Sequence, residues 1–388
     1  MVDLKKEIKL SDLVPRRKSK SGAKLTNAGA GRTRRPSKRE LVGLKIGASQ
    51  VAAARIMNNG SANLLQLARG PLDRGVVVGG EVRDVPALAQ ALDSFFEEHK
   101  LPRRGIRLGL ATNRIGVRAF DIDGIADERQ LANAIRFRAH EAVSIPIDEA
   151  VLDYHIVNET LDDTGAVSRR ILLAAAYRES IDRYVEAAQA AKIELYGIDL
   201  EAFALLRAVG AMSSASDEPA RAVVAVSLGH DRSTLAISDG AICEFTRVLE
   251  WGGGKLETAI ALELGVTSDE AFELKLAASL EPDGVGETQD PRMRAVRAAI
   301  GRELEKLARE LVASLQFYQS QPSSLAISEI LVSGGTSRLS GLPEELERLT
   351  RVAVRRVNPL AQVRGAGDLQ ARDDLASLTI AIGLGVEA

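Results

Sequence analysis

The chain predicts an α/β fold of two related lobes, and three observations carry that prediction. A strand–turn–strand signature occurs twice, as L-V-G-L-K-I-G-A-S-Q-V-A-A-A-R-I from Leu41 to Ile56 and as V-V-A-V-S-L-G-H-D-R-S-T-L-A-I from Val223 to Ile237. In each copy an apolar run meets a polar residue (Lys45, Ser227), one apolar residue, a glycine (Gly47, Gly229) and then a second run. Each copy is followed by a third strand-like run and by helical patterns, the signature of layered α/β units.

In chain order, strands are expected over 41–47, 51–57 and 64–68, then a helix near 86–99. Alternating apolar positions give strands over 104–112 and 114–122. A helix with Asp127 and Glu128 in its first turn runs to about Val143 and stops before I-P-I at 145–147. Strands over 151–157 and 170–176 lead into helices over 178–191 and 199–210, the latter ending near Gly210. S-S-A-S-D-E-P at 213–219 is the clearest linker.

The second half repeats the opening, with strands over 222–228, 233–238 and 242–248, then G-G-G at 252–254 and a helix. A helix over 269–280 and the loop E-P-D-G-V-G-E-T-Q-D-P precede a long helix. Its Met293, Val296, Ile300, Leu304, Leu307, Leu311, Leu315 and Tyr318 recur at steps of three and four, as core contacts do. A strand over 328–333 meets S-G-G-T-S, a helix covers about 342–350, and A-S-L-T-I-A-I-G-L-G closes the chain as a helix. The organisation is thus a basic tail over 1–40, a first lobe over 41–212 and a second over 213–388.

Composition bounds the function. The 388 residues suffice for two or three domains, and the 45% hydrophobic content is ordinary for a globular chain. No stretch approaches 18 uninterrupted apolar residues, so no transmembrane helix is expected. M-V-D-L-K-K-E-I-K-L lacks the apolar centre of a signal peptide. The single cysteine, Cys243, lies in an apolar strand pattern and reads as a core residue in a reducing, cytoplasmic setting. Residues 1–40 hold 13 Lys or Arg against 4 Asp or Glu, whereas the whole chain sums to −2. This tail has no apolar periodicity. It reads either as a solvated extension or as a weak electrostatic tether to anionic lipid. No aromatics interleave with its charges, which argues against nucleic acid.

A glycine between strands lets the backbone come within hydrogen-bond reach of a phosphate. Two such turns, with Gly334–Gly335 after a later strand, resemble the actin-like ATPase superfamily, in which the turns grip the phosphates and the glycine pair lies beside the adenosine. Over about 41–388 the chain is similar to the PilM family of type IV pilus assembly proteins, relatives of the FtsA division proteins. The resemblance rests on V-V-V-G-G-E-V-R-D at 76–84, A-I-R-F-R-A-H-E-A-V-S-I-P-I-D-E-A-V-L-D-Y at 134–154 and Y-R-E-S-I-D-R-Y-V-E-A-A at 177–188. It extends through I-D-L-E-A-F-A-L at 198–205, I-L-V-S-G-G-T-S-R-L-S-G-L-P at 330–343 and A-I-G-L-G at 381–385. It implies an FtsA-like inserted subdomain at about 104–170. It also implies a nucleotide cleft formed by Lys45, Gly47, Ala48, Ser49, Ser227, Gly229, His230, Gly253, Gly254, Lys275, Gly334, Gly335 and Thr336.

The departures are chemical. The family carries Asp where this chain has Lys45, Lys at Ala52, an acid at Ser227 and Glu at Phe272, while Lys275 remains. Mg²⁺ needs an oxygen-rich octahedral shell anchored by carboxylates, and phosphoryl transfer depends on the charge neutralisation it supplies. Of the two turns only Asp231 retains a carboxylate, and it reads as a turn residue. Efficient ATP hydrolysis is therefore not expected, and no catalytic or metal-ligating residue is assigned. Two readings of Lys45 stay open: it takes over charge neutralisation and permits metal-independent ATP binding, or the cleft is empty and it reaches solvent. His99, His140, His155 and His230 have no metal-type spacing, His230 being a turn residue or a phosphate donor. Trp251 reads as a packing residue.

By resemblance, the expected role is a cytoplasmic scaffold, peripheral to the inner face of the membrane. It takes the cytoplasmic N-terminal peptide of a PilN-like inner-membrane protein in a groove beside the inserted subdomain and couples it to the pilus motor ATPases. The alternatives are an active Mg²⁺-dependent ATPase of the same superfamily and an FtsA-like filament protein. The former would keep the acids; the latter attaches through an amphipathic C-terminal helix, a pattern that G-L-G-V-E-A does not show.

Overall fold

The computed structural model describes residues 39–387 apart from 126, 144, 162–165, 211–220, 282–289, 322–323, 366, 368–371 and 373. The basic tail up to residue 38, the 213–219 linker and most of the loop at 281–291 lie outside the described residues.

The first lobe opens with the antiparallel meander β1 (Arg39–Ile46), β2 (Gln50–Asn58) and β3 (Ala62–Pro71). A two-stranded ribbon, β4 (Val77–Val78) and β5 (Glu81–Val82), follows. Helix α1 (Val85–Glu98) is started by Asp84, whose carboxylate accepts from the Ala87 amide at 2.9 Å. Strand β6 (Ile106–Leu110) then lies parallel to β1.

An inserted layer comes next: β7 (Ile115–Asp123), α2 (Glu128–Ala142), β8 (Ala150–Leu161) and β9 (Val167–Tyr177). Its sheet has the order β7-β9-β8, all antiparallel, and packs on α2 through Leu131, Ile135, Ala139 and Ile171. Strand β6, although it falls within 104–170, belongs to the first sheet; the small sheet runs from Ile115 to Tyr177. The chain returns through α3 (Arg178–Ala190), β10 (Leu195–Leu200) and α4 (Glu201–Val209). Gly210 ends α4 at φ 71°.

The second lobe comprises β11 (Ala222–Leu228), β12 (Ser233–Ser238), β13 (Cys243–Leu249), α5 (Gly253–Leu264), α6 (Ser268–Ala277), α7 (Pro291–Gln319), β14 (Ile327–Ser333), α8 (Leu342–Thr350), β15 (Val354–Arg356) and α9 (Leu375–Gly385). Its sheet order, β15-β14-β11-β12-β13, reproduces that of the first lobe, β10-β6-β1-β2-β3, strand for strand. The duplicated hairpins are therefore the same structural element in two copies.

The fifth strand of each sheet is the part the pattern conceals. Leu195–Leu200 is a strand with a bulge between Leu195 and Gly197, where the sequence reads as the entry to a helix at 199. Val354–Arg356 is three residues long with two of them exposed. Three residues are too few to show a periodicity, and the bulge interrupts that of Leu195–Leu200.

The lobes meet through α4 and α9. Residues Glu201–Ala208 of α4 and Ser377–Gly385 of α9 are buried on all sides. They join Ala225, Ala236 and Cys243 of the second sheet to Val117 and Leu172 of the inserted sheet in one cluster. Burial pushes the Cys243 thiol up to about 12, so it is a core side chain and not a reactive thiol.

Candidate functional site

The β1–β2 turn follows Lys45 and carries Gly47, Ala48 and Ser49. Lys45 sits directly opposite Ala52 in the ladder, the position to which the resemblance assigns a lysine. The Gly47 amide closes the turn onto the Gln50 carbonyl at 2.8 Å, whereas the Ala48 and Ser49 amides have no backbone partner among the described residues. The Lys45 ammonium lies 3.6 Å from Oε2 of Glu201, the first residue of α4. Glu201 is 2% exposed, and its Oε1 has no hydrogen-bond partner. The two readings of Lys45 thus need a third: its charge is already committed to a buried carboxylate.

The β11–β12 turn is its counterpart in the second sheet. Ser227 is buried opposite Thr234, and the Gly229 amide donates to the Arg232 carbonyl at 3.1 Å. Three donors from other elements converge on this turn. The Gly253 amide donates to the Gly229 carbonyl at 2.9 Å, the Gly254 amide to the His230 carbonyl at 2.8 Å, and the Thr336 hydroxyl to the Gly229 carbonyl at 2.8 Å. Gly334, at φ 88°, lies against the Leu228 backbone, where a Cβ would come within 2.3 Å of its carbonyl oxygen. The sequence-assigned residues of the second lobe are therefore brought together, with Gly335 exposed beside them.

On the same floor Lys275 donates to Glu257 of α5, and His230 Nδ1 lies 3.5 Å from that carboxylate. Phe272, in the family's Glu position, places its ring 4.9 Å from the Lys275 ammonium. Burial raises the Glu257 pKa, but His230 and Lys275 outweigh it and hold the carboxyl below the ordinary glutamate range. A depressed carboxylate contributes stability above its unfolded pKa of about 4.3, and that contribution is lost as pH falls through the folded value. Thermal scans between pH 3.5 and 7 are expected to show a decline below about pH 4.3 that flattens in Glu257→Gln. An unchanged slope in the variant would exclude the pair as its source.

Side chains of the second turn reach across to the first lobe. Asp231 accepts from the Gly79 amide at 2.8 Å. The Arg232 guanidinium rests on Gly80, where a Cβ would meet its Cζ at 2.8 Å. The Tyr184 hydroxyl donates to the Gly80 carbonyl at 2.9 Å, and burial pushes that phenol up to about 12 despite the nearby Arg232. Asp231, read as a plain turn residue, is an interlobe contact.

The fit to a metal-bound nucleotide is partial. The free amides of the β1–β2 turn suit a phosphate. The two lysines are each engaged by a carboxylate, and the Gly253 and Gly254 amides are committed to carbonyls. Among the described residues no group of three or more His, Cys, Asp or Glu side chains is placed to hold a metal ion.

Comparison with known proteins decides the lineage. Residues 43–388 match the family model described as type IV pilus assembly protein PilM. The chain belongs to the PilM family. A solved PilM–PilN type IV pilus biogenesis complex superposes with a TM-score of 0.74 at 24% identity, covering 90% of this chain and 98% of that one. MreB5 of Spiroplasma citri bound to AMPPNP shares the fold at a TM-score of 0.52 and 11% identity, over 90% and 95% of the two chains. Among curated proteins, the FtsA cell division protein of Pseudomonas aeruginosa is 26% identical over 359 residues, 85% of each chain. The fold is thereby the actin-like ATPase fold.

Within this PilM-family frame, sequence reasoning missed Glu201, Glu257 and Arg232. Glu257 follows Gly253 by four residues, which places both on one helix face, and that spacing is a usable signal. Glu201 directly follows I-D-L but lies far from Lys45 in the chain, and nothing local links them.

Proposed function

We propose that this chain is a cytoplasmic scaffold of type IV pilus assembly that binds the N-terminal peptide of a PilN-like inner-membrane protein and links it to the pilus motor. Membrane association is then peripheral and runs through that partner. The similarity over nine-tenths of the chain to a PilM bound to PilN carries this reading. A narrow apolar crevice of about 50 Å³ supports it, lying between the inserted sheet and the first lobe and lined by Val151, Ala174, Leu110 and Ile181. That volume has room for one aliphatic side chain of a docked peptide, and such docking needs a shaped groove rather than a metal.

The cleft is proposed to be degenerate: a site that does not hydrolyse ATP and holds it, if at all, through the turn amides without Mg²⁺. Calorimetric titration with ATP in EDTA reads this directly, and absence of heat at millimolar ATP removes nucleotide binding. Magnesium-dependent phosphate release by the purified protein would instead restore the ATPase reading.

The decisive experiment is co-purification of the full chain with the cytoplasmic peptide of its PilN-like partner. Binding is expected with and without nucleotide, weakened about tenfold by Val151→Glu through loss of apolar burial. Failure to bind in both conditions would sink the scaffold role.

A further inference from the structure

A groove of about 1250 Å³ opens beside that crevice, sharing Leu110 and Leu200 with it, between the start of β7, strand β13, and helices α5 and α7. It exceeds the roughly 300–1,000 Å³ typical of small-molecule sites. Its α7 wall, from Glu303 to Phe317, is about 21 Å long at 1.5 Å per residue, the length of a helix of about fourteen residues.

Two properties define what the groove can accept. Apolar groups face it without cover: Leu262 of α5 is 81% exposed, and Phe317 of α7 is 53% exposed and packed on Phe245 with ring centroids 5.5 Å apart. Positive charge is in surplus. Of its carboxylates, Glu310 is engaged by Arg247 and Glu303 by Lys306, and Glu250 accepts from Asn113. Arg118, Lys255 and Arg309 line the groove with no ion-pair partner among the described residues, and Arg118 donates only to the Val117 carbonyl. Cations left unpaired around exposed apolar side chains are complementary to a segment carrying carboxylates between apolar anchors.

We propose that this groove docks an acidic amphipathic peptide segment of a partner protein, at a site that adjoins the crevice offered to the PilN-like peptide and extends from it over α5 and α7. The chain's own N-terminal tail, with 13 basic residues against 4 acidic ones among residues 1–40, has the wrong sign to fill it. Apolar anchors supply the binding surface, and the three free cations set polarity and make affinity fall with salt.

Selection of a displayed library of random fourteen-residue peptides on the full-length protein tests this. The expected winners are rich in Asp and Glu with Leu or Phe at helical spacing, and their affinity falls at least tenfold on the folded triple variant Arg118→Glu/Lys255→Glu/Arg309→Glu. Leu262→Asp is expected to weaken them similarly while leaving the PilN-like peptide bound as in wild type, which separates this site from the proposed scaffold function. Basic or neutral winners, winners bound equally by the triple variant, or no enrichment would overturn the proposal. Salt-sensitive dimerisation abolished by the triple variant would overturn it too, by identifying a second copy as the occupant.

Discussion

Gly383→Ala is expected to lower the thermal midpoint more than any other single-methyl change in the molecule's centre. An ideal Cβ at Gly383 would lie 1.8 Å from the carbonyl oxygen of Ala204, and both belong to helices buried on every side. The obstacle is backbone, so no rotamer change relieves it and α9 must separate from α4. Overpacking of this kind costs on the order of 3 kcal/mol. Because α9 also carries the Arg107 and Arg207 contacts to its last carbonyls, the displacement would propagate. Gly301→Ala, in α7 with nothing within 4 Å of its Cβ, is the control and is expected to stabilise by about 0.5–1 kcal/mol. Thermal or urea unfolding of the three proteins decides it; equal midpoints for Gly383→Ala and wild type would refute the close-contact argument.

The second large effect is expected at Lys45. Removing its ammonium leaves Glu201, whose side chain is 3% exposed, as a buried carboxylate without its cation. Breaking such a pair from one side costs about 3–5 kcal/mol, whereas replacing both partners by apolar groups is often nearly neutral. Lys45→Ala should therefore destabilise strongly, and the double variant Lys45→Met/Glu201→Leu should recover most of the loss. Urea midpoints for both variants and for Glu201→Leu complete the cycle. Additive effects would show that Lys45 and Glu201 do not interact, and the cation would again be available to a phosphate. Strong coupling would identify the pair as structural.

Most of the architecture was legible in residue order. Strands β1, β2, β11 and β12 read directly, because apolar runs broken by Gly47 and Gly229 are local signals. Helix α7 read directly because its buried residues recur at three and four. The strands lost were the two-residue ribbon strands β4 and β5 and the edge strands β10 and β15, the latter two depending on the parallel neighbour they hydrogen-bond to. Around the β11–β12 turn, Gly229, Gly253, Gly254, Gly334 and Thr336 meet through contacts between separate elements. The partners of the cations were not legible in residue order, since Lys45 and Glu201 come from separate elements and meet only when the start of α4 is brought beside the end of β1 in the folded chain.

The sequence by itself determined the duplicated hairpins, the layered α/β class and the non-acidic residues Lys45, Ser227 and Phe272. Those are properties of periodicity and residue identity, which a one-dimensional pattern carries in full. Only the tertiary structure decided that Lys45 and Lys275 are already neutralised, that Asp231 and Arg232 bridge the lobes, and that a basic, apolar groove lies between the inserted layer and α7. Electrostatic meaning depends on distance and burial, and these arise when segments remote in the chain are packed into contact.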